Sequence, residues 1–308
     1  MIALTVIALT PHMPEKGYPP SLYSNQTRND LKLTMNRAIS MAKKSIFLEM
    51  FSLSDDNIIN ALKKKADAGV NITIVLDKNY ARKAMRLLSD HASITVGNCK
   101  GLMHKKILII DNTMVWIGSS NMTTESLRMH DNLLIGVHSP ELAKTITANT
   151  PSHEHIVGGQ HIEYWSLPTD GSAAVKHLIE LIDAAHGRIR IAMFTWTNQD
   201  LANAVIAAKR RGIDIAVAID YTSGHGASSN VITMLKNADI PTTLNQGLGL
   251  LHHKFAYIDD TILVNGSANW TKAAFNKNAD CFLVLHNLTP NQQKFMNNLW
   301  SVIDAETR

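Results

Sequence analysis

IFLEMFSLSDDNIINALKKKADAGVNITIVLD, residues 46–77, returns in altered form as IRIAMFTWTNQDLANAVIAAKRRGIDIAVAID, residues 189–220. At a constant offset of 143 residues, Met50-Phe51 aligns with Met193-Phe194, Gly69 with Gly212 and Asp77 with Asp220. Each copy reads as an apolar run, an amphipathic helix and a second apolar run. Ile58, Ile59, Leu62 and Ala66 share one helical face, as do Leu201, Ala204, Val205 and Ala208. Asp55 or Asp56 is placed to cap the first helix, and Gly69 and Gly212 stand where a helix ends in a left-handed glycine. The runs 46–50, 72–76, 189–194 and 213–219 are mostly apolar, as strands covered on both faces tend to be. A unit of strand, helix, strand, helix, strand written twice predicts an α/β protein of two similar halves.

Further along, the offset becomes 148 residues, and the repeat carries chemistry. HKKILIID (104–111) aligns with HHKFAYID (252–259), giving H-x-K-x4-D twice: His104, Lys106, Asp111 and His252, Lys254, Asp259. A G-S-x-N turn follows each at the same spacing, with Ser119 and Asn121 in the first and Ser267 and Asn269 in the second. Composition alone would produce about 0.05 such H-x-K-x4-D matches, so two at equivalent positions are signal. Residues two apart on a strand share a face, so each His lies beside its Lys. A lysine charge with hydroxyl and amide donors from the next turn makes an anion site. Two such sites face to face would surround one phosphate with two imidazoles, one to attack phosphorus and one to protonate the leaving oxygen. The two halves are therefore expected to share one site. Asp111 and Asp259, further along, are expected to hold loop geometry.

The remaining composition sets bounds. The chain has 308 residues, 45% hydrophobic and 18% charged, an ordinary globular balance at a length that buries a core without staples. Residues 1–150 hold 18 Lys+Arg against 12 Asp+Glu, whereas residues 151–308 hold 12 against 14. A basic first half suits an anionic substrate, although solvated helix faces give the same count. Cys99 and Cys281 read as small buried hydrophobes, with one disulfide between them left open. The apolar run 2–9 reads as a first strand or as the remnant of a signal or anchor, which leaves the compartment open. Pro151, Ser152, Gly158 and Gly159 break every period between 149 and 160, placing the halves at 1–152 and 153–308. His12, His91, His130, His153, His155, His161, His177, His186 and His225 show no metal-ligand spacing and read as surface or packing residues. His253 points away from His252 on its strand.

At these residues the sequence resembles the phospholipase D superfamily, and HHKFAYIDDTILVNGSANWTKAAF (252–275) is similar to its small bacterial endonucleases and mitochondrial cardiolipin hydrolase. Members of that branch carry one motif per chain, so this chain resembles such a dimer fused into one polypeptide, competent as a monomer. The resemblance implies a metal-independent, cofactor-free phosphodiesterase acting through a phosphohistidine, with His104 as nucleophile and His252 as general acid. It also implies an acid that orients the motif histidine. Asp280, 28 residues after His252, fits that place, whereas Asn132, beside Asp131, stands 28 residues after His104. The expected site is thus His104, Lys106, His252, Lys254 and Asp280, with Ser119, Asn121, Ser267 and Asn269 on the phosphate and Asp111, Asp259, Asp131 and Asn132 in support. Nucleic acid is the favoured substrate. Phospholipid or cardiolipin, with peripheral membrane contact, is the alternative, and a silent binder of either is more distant.

Overall fold

The computed structural model of the chain describes residues 11–150, 153–247 and 249–306, so the run 2–9 lies outside the described residues. The first half forms β1 (Ser21–Tyr23), β2 (Ser45–Met50), β3 (Asn71–Leu76), β4 (Ser93–Val96), β5 (Lys106–Ile110), β6 (Met114–Gly118) and β7 (Leu134–His138). They build a seven-stranded sheet in the order β1-β7-β6-β5-β2-β3-β4. The second half forms β8 (His153–Val157), β9 (Gln160–Leu167), β10 (Arg188–Met193), β11 (Asp214–Asp220), β12 (Thr242–Asn245), β13 (Lys254–Ile258), β14 (Ile262–Gly266) and β15 (Asp280–Leu285). Their order is β12-β11-β10-β13-β14-β15-β9-β8. Six strands correspond one to one, and β1 beside β7 answers β9 beside β15, antiparallel in both cases. Among the described residues, the second sheet has one strand more, β8.

That extra strand explains the break in periodicity. Gly158 and Gly159 take positive φ values of 55° and 79°, which glycine adopts freely, and they turn β8 back into β9. The helices begin and end as their sequences dictate. Asp55 caps Asp56–Asp67 by accepting from the amides of Asn57 and Ile58, and Asn198 does the same for Gln199–Arg210.

Alternation along the central strands explains their unbroken hydrophobicity. Ile107 and Ile109 of β5 join Phe255 and Tyr257 of β13 in a core shared by both sheets. Leu108 and Ile110 face the opposite way, into a core with Ile58, Ile59 and Leu62. Ala256 and Ile258 likewise meet Leu201, Val205 and Ala208. The result is four layers, helices, sheet, sheet, helices, with the two sheets packed face to face. Strands buried on both faces have no polar side to show, which is why the sequence offers no period of two here.

Candidate active site

β5 pairs with β2 as far as Lys106 opposite Met50, and β13 pairs with β10 as far as Lys254 opposite Met193. His104 and His252 therefore stand just beyond the ladders, where neighbouring strands no longer occupy the backbone. Each is taken up by the other half. The His104 amide donates to the Ala279 carbonyl at 2.7 Å, and the His252 amide donates to the Asp131 carbonyl at 3.0 Å. Asp77 accepts from the Met103 amide at 2.9 Å and Asp220 from the Leu251 amide at 3.2 Å, fixing the approach to each histidine. Reciprocal contacts of this kind are the signature of a two-fold relation, here internal to one chain.

The orienting residues are crossed in the same way. His104 Nδ1 lies 2.8 Å from Asp280 Oδ1, and His252 Nδ1 lies 3.0 Å from Asn132 Oδ1. This corrects the expectation that Asp280 would serve His252 within its own half. Sequence spacing located the residue but not its partner, because the exchange happens across the interface. Asp280 Oδ1 also accepts from Ser267 Oγ at 2.6 Å, so it is an acceptor and His104 Nδ1 carries the proton. Asn132 Nδ2 donates to the carbonyls of Ser126 and His130, which turns Oδ1 toward His252. Both histidines thus present Nε2 to the site.

The serines need a second correction. Ser119 Oγ donates to Asn132 Oδ1 at 2.8 Å, as Ser267 Oγ does to Asp280, and both side chains are buried. Their protons are committed to the orienting residues, not aimed at a phosphate. The asparagines differ. Asn269 Oδ1 accepts from the Thr195 amide at 3.2 Å, Asn121 Oδ1 is buried without a partner, and neither Nδ2 donates to a described protein group. Asp111 accepts from the amides of Lys43, Lys44 and Ser45, and Asp259 from those of His186, Gly187 and Arg188, each clamping the turn before a central strand. Asp131 contributes its carbonyl, while burial and the charge of Glu306 push its carboxyl up to about 7.

Lys106 Nζ donates to the His104 carbonyl at 2.6 Å and Lys254 Nζ to the His252 carbonyl at 2.7 Å, leaving each ammonium two further protons. Phe51 and Phe194 wall the pair: their ring centroids lie 5.1 and 4.7 Å from the two ammonium groups. The same rings stand 5.0 Å from His104 and 5.1 Å from His252. Burial pulls Lys106 down to about 7 and Lys254 well below its usual value. Burial and the lysines also lower both histidines, His252 the more, since Asp280 opposes the shift at His104. Lysines of both halves act on each imidazole, so the two motifs form one electrostatic unit. Phe51, Phe194, Asp77 and Asp220 were visible as repeat matches but carried no role until the fold placed them. His130 gave no signal, yet its ring lies 6.0 Å from that of His252.

Cys99 and Cys281 are both free thiols, and His253 is turned away from the site onto Gln26 at 2.7 Å.

Two imidazoles with free Nε2 atoms and two lysines, each acting on the other half's histidine, make a site suited to an anionic group such as a phosphodiester. The family model described as "Cardiolipin synthase, PLD-like domain" matches residues 35–152 and 178–303. The chain belongs to this family, within the phospholipase D superfamily of phosphodiesterases. The mitochondrial cardiolipin hydrolase of Xenopus laevis is 31% identical over 145 residues, 46% of this chain and 67% of that protein. The chain spans between 45% and 67% of the length of the curated cardiolipin hydrolases compared. A phospholipase D family member, Nuc, from Salmonella typhimurium is 30% identical over 48% of this chain and 95% of its own, with a TM-score of 0.45. The phosphatidylserine synthase of Haemophilus influenzae has a TM-score of 0.70 at 12% identity, covering 100% of this chain and 91% of its own, a likeness of fold alone.

Proposed function

We propose that the chain hydrolyses phospholipid phosphodiesters, with His104 as nucleophile and His252 as general acid. The observation that carries the assignment of roles is the crossed pairing, which gives a carboxylate to His104 and a neutral amide to His252. Asp280 stabilises the positive charge that grows on an imidazole attacking phosphorus. Asn132 holds His252 in place without raising its basicity, which leaves it readier to surrender a proton.

His104 Nε2 forms a bond to phosphorus while the bond to the leaving alcohol breaks, and His252 gives its Nε2 proton to the departing oxygen. Water then enters from the same side. His252 takes a proton from it, the water oxygen bonds to phosphorus, and the P–N bond to His104 breaks. Lys106, Lys254 and the amides of Asn121 and Asn269 hold the phosphoryl oxygens. The anion's charge offsets the lysines, which returns His252 toward its ordinary basicity when the proton is needed.

The surroundings favour lipid over the nucleic acid that the sequence suggested. Beside His252 opens a cavity of about 540 Å³ whose lining, among the described residues, includes Glu125, His130, Asp220, Tyr221 and Asn245 and no lysine or arginine. An uncharged or cationic alcohol suits such a chamber, whereas a polyanionic strand does not. Tyr80, Leu102, Met129 and Tyr221 are exposed near the site, interspersed with exposed Lys78, Lys100 and Lys277. Apolar tips among cations suit an anionic membrane surface. The test is to offer the chain cardiolipin and phosphatidylcholine vesicles, single-stranded DNA and RNA in EDTA. Release of choline from phosphatidylcholine, or of phosphatidic acid and phosphatidylglycerol from cardiolipin, is expected. Cleavage of an oligonucleotide with vesicles untouched would overturn the lipid reading.

A further inference from the structure

The second sheet carries a cluster of donors that the phosphodiesterase site does not use. His161 and Glu163 lie two apart on β9 and share a face. Leu285 of β15 pairs with Ile162, and the His286 amide donates to the His161 carbonyl at 3.0 Å, which sets His286 opposite His161 on that same face. The two imidazoles stack at 4.7 Å. One ligand atom from each of His161, Glu163 and His286 falls within 4.8 Å of the others. We infer that His161, Glu163 and His286, completed by Glu154 or water, bind one divalent transition-metal ion of the zinc class.

Four features of the geometry support this. His286 Nε2 and Glu163 Oε1 lie 2.6 Å apart; tetrahedral zinc with bonds of about 2.0–2.1 Å separates its ligands by roughly 3.3 Å, so a small opening admits the ion. His161 Nε2 is buried without a hydrogen bond, and its nearest carboxylate oxygen is Glu154 Oε2 at 3.4 Å. The other oxygen of Glu163 is already steadied from behind, by Trp165 Nε1 at 2.7 Å and His177 Nε2 at 2.8 Å. Outer contacts of this kind orient ligands in metal sites. Finally, two imidazoles and a carboxylate are a donor set that suits zinc, cobalt or nickel over magnesium or calcium.

The position indicates what the ion would do. Asp280 and His286 lie six residues apart along β15 and just past it, about 20 Å at strand rise. The ion is thus remote from the reacting phosphate. It would tie the β8–β9 hairpin, whose β8 has no equivalent among the described residues of the first half, to β15. In the first half His138 occupies the position of His286, but β1 pairs there through Ser21, Leu22 and Tyr23, and the site has no counterpart among the described residues.

The test uses tag-free full-length protein, stripped with chelator and titrated with zinc chloride by calorimetry, with metal content checked by elemental analysis. One equivalent bound and a rise in melting temperature are expected. Glu163→Gln and His286→Ala should each weaken binding at least 10-fold, with phosphodiesterase turnover at 25 °C unchanged. His161→Ala leaves the Glu163 contacts with His177 and Trp165 in place, and is the variant to use should the other two misfold. Absence of stoichiometric binding by the parent protein, or equal binding by the parent and a folded variant, would overturn the inference.

Discussion

Replacing Asp280 by Asn separates the charge of the orienting residue from its geometry. Asn132 already shows, in this same molecule, that an asparagine oxygen can hold a site histidine through Nδ1, at 3.0 Å. Asp280→Asn should therefore keep the His104 ring in place and lose only the carboxylate's charge. Asp280 is fully buried, so water does little to screen it. With Nδ1 and Oδ1 2.8 Å apart, the charge centres are about 4 Å apart, worth about 4 kcal/mol for full charges at an effective dielectric of about 20. An attacking imidazole carries roughly half a charge in the transition state, so about 2 kcal/mol is lost, a rate reduction of about 30-fold. The assay is rapid-quench formation of phosphoenzyme from an aryl phosphodiester with a good leaving group, which isolates the attack. The reduction should appear undiminished there. Unchanged phosphoenzyme formation, with a defect only on substrates that have poor leaving groups, would show that Asp280 acts through the acid instead and would refute the crossed assignment.

Two further perturbations follow from the same geometry. Asn132→Asp places a carboxylate on His252 Nδ1 and should raise its pKa by about 1–3 units; because the acid must be protonated, the alkaline limb of the kcat profile moves to higher pH, and an unmoved limb would detach His252 from that role. Asp111→Ala removes the acceptor of three backbone amides at a position with φ of 52°. It should cost about 3 kcal/mol in denaturant unfolding with turnover of the folded enzyme preserved, whereas lost turnover at full stability would make it part of the chemistry.

The sequence disclosed the fold wherever one residue sufficed to set local geometry. Asp55 as a cap, Gly69 and Gly212 as left-handed stops, and the unbroken apolar runs of β5 and β13 each report on their own neighbourhood. The repeat then gave the motif residues their equivalence. Contacts made between the halves were not legible. Asp280 was recognised, but its hydrogen bond to His104 depends on how two sheets face each other, which no spacing encodes. Ser119 and Ser267 looked like phosphate donors because a hydroxyl near a lysine has that chemistry. Only packing shows that their protons are already committed to Asn132 and Asp280. His161 and His286 lie 125 positions apart, and their pairing across β9 and the end of β15 belongs to the register, not to a linear pattern.

The central claim is that one site spans both halves, with His104 forming the covalent bond and His252 handling the proton. It is tested most directly by mapping the phosphorylated residue after a denaturing quench at alkaline pH, where a P–N bond survives, with an activated aryl phosphodiester, in His252→Ala and in His104→Ala. Such a leaving group needs little proton assistance, so His252→Ala should still form phosphoenzyme, with the label on His104, while His104→Ala should form none. Label on His252 in the His104→Ala protein would contradict the account.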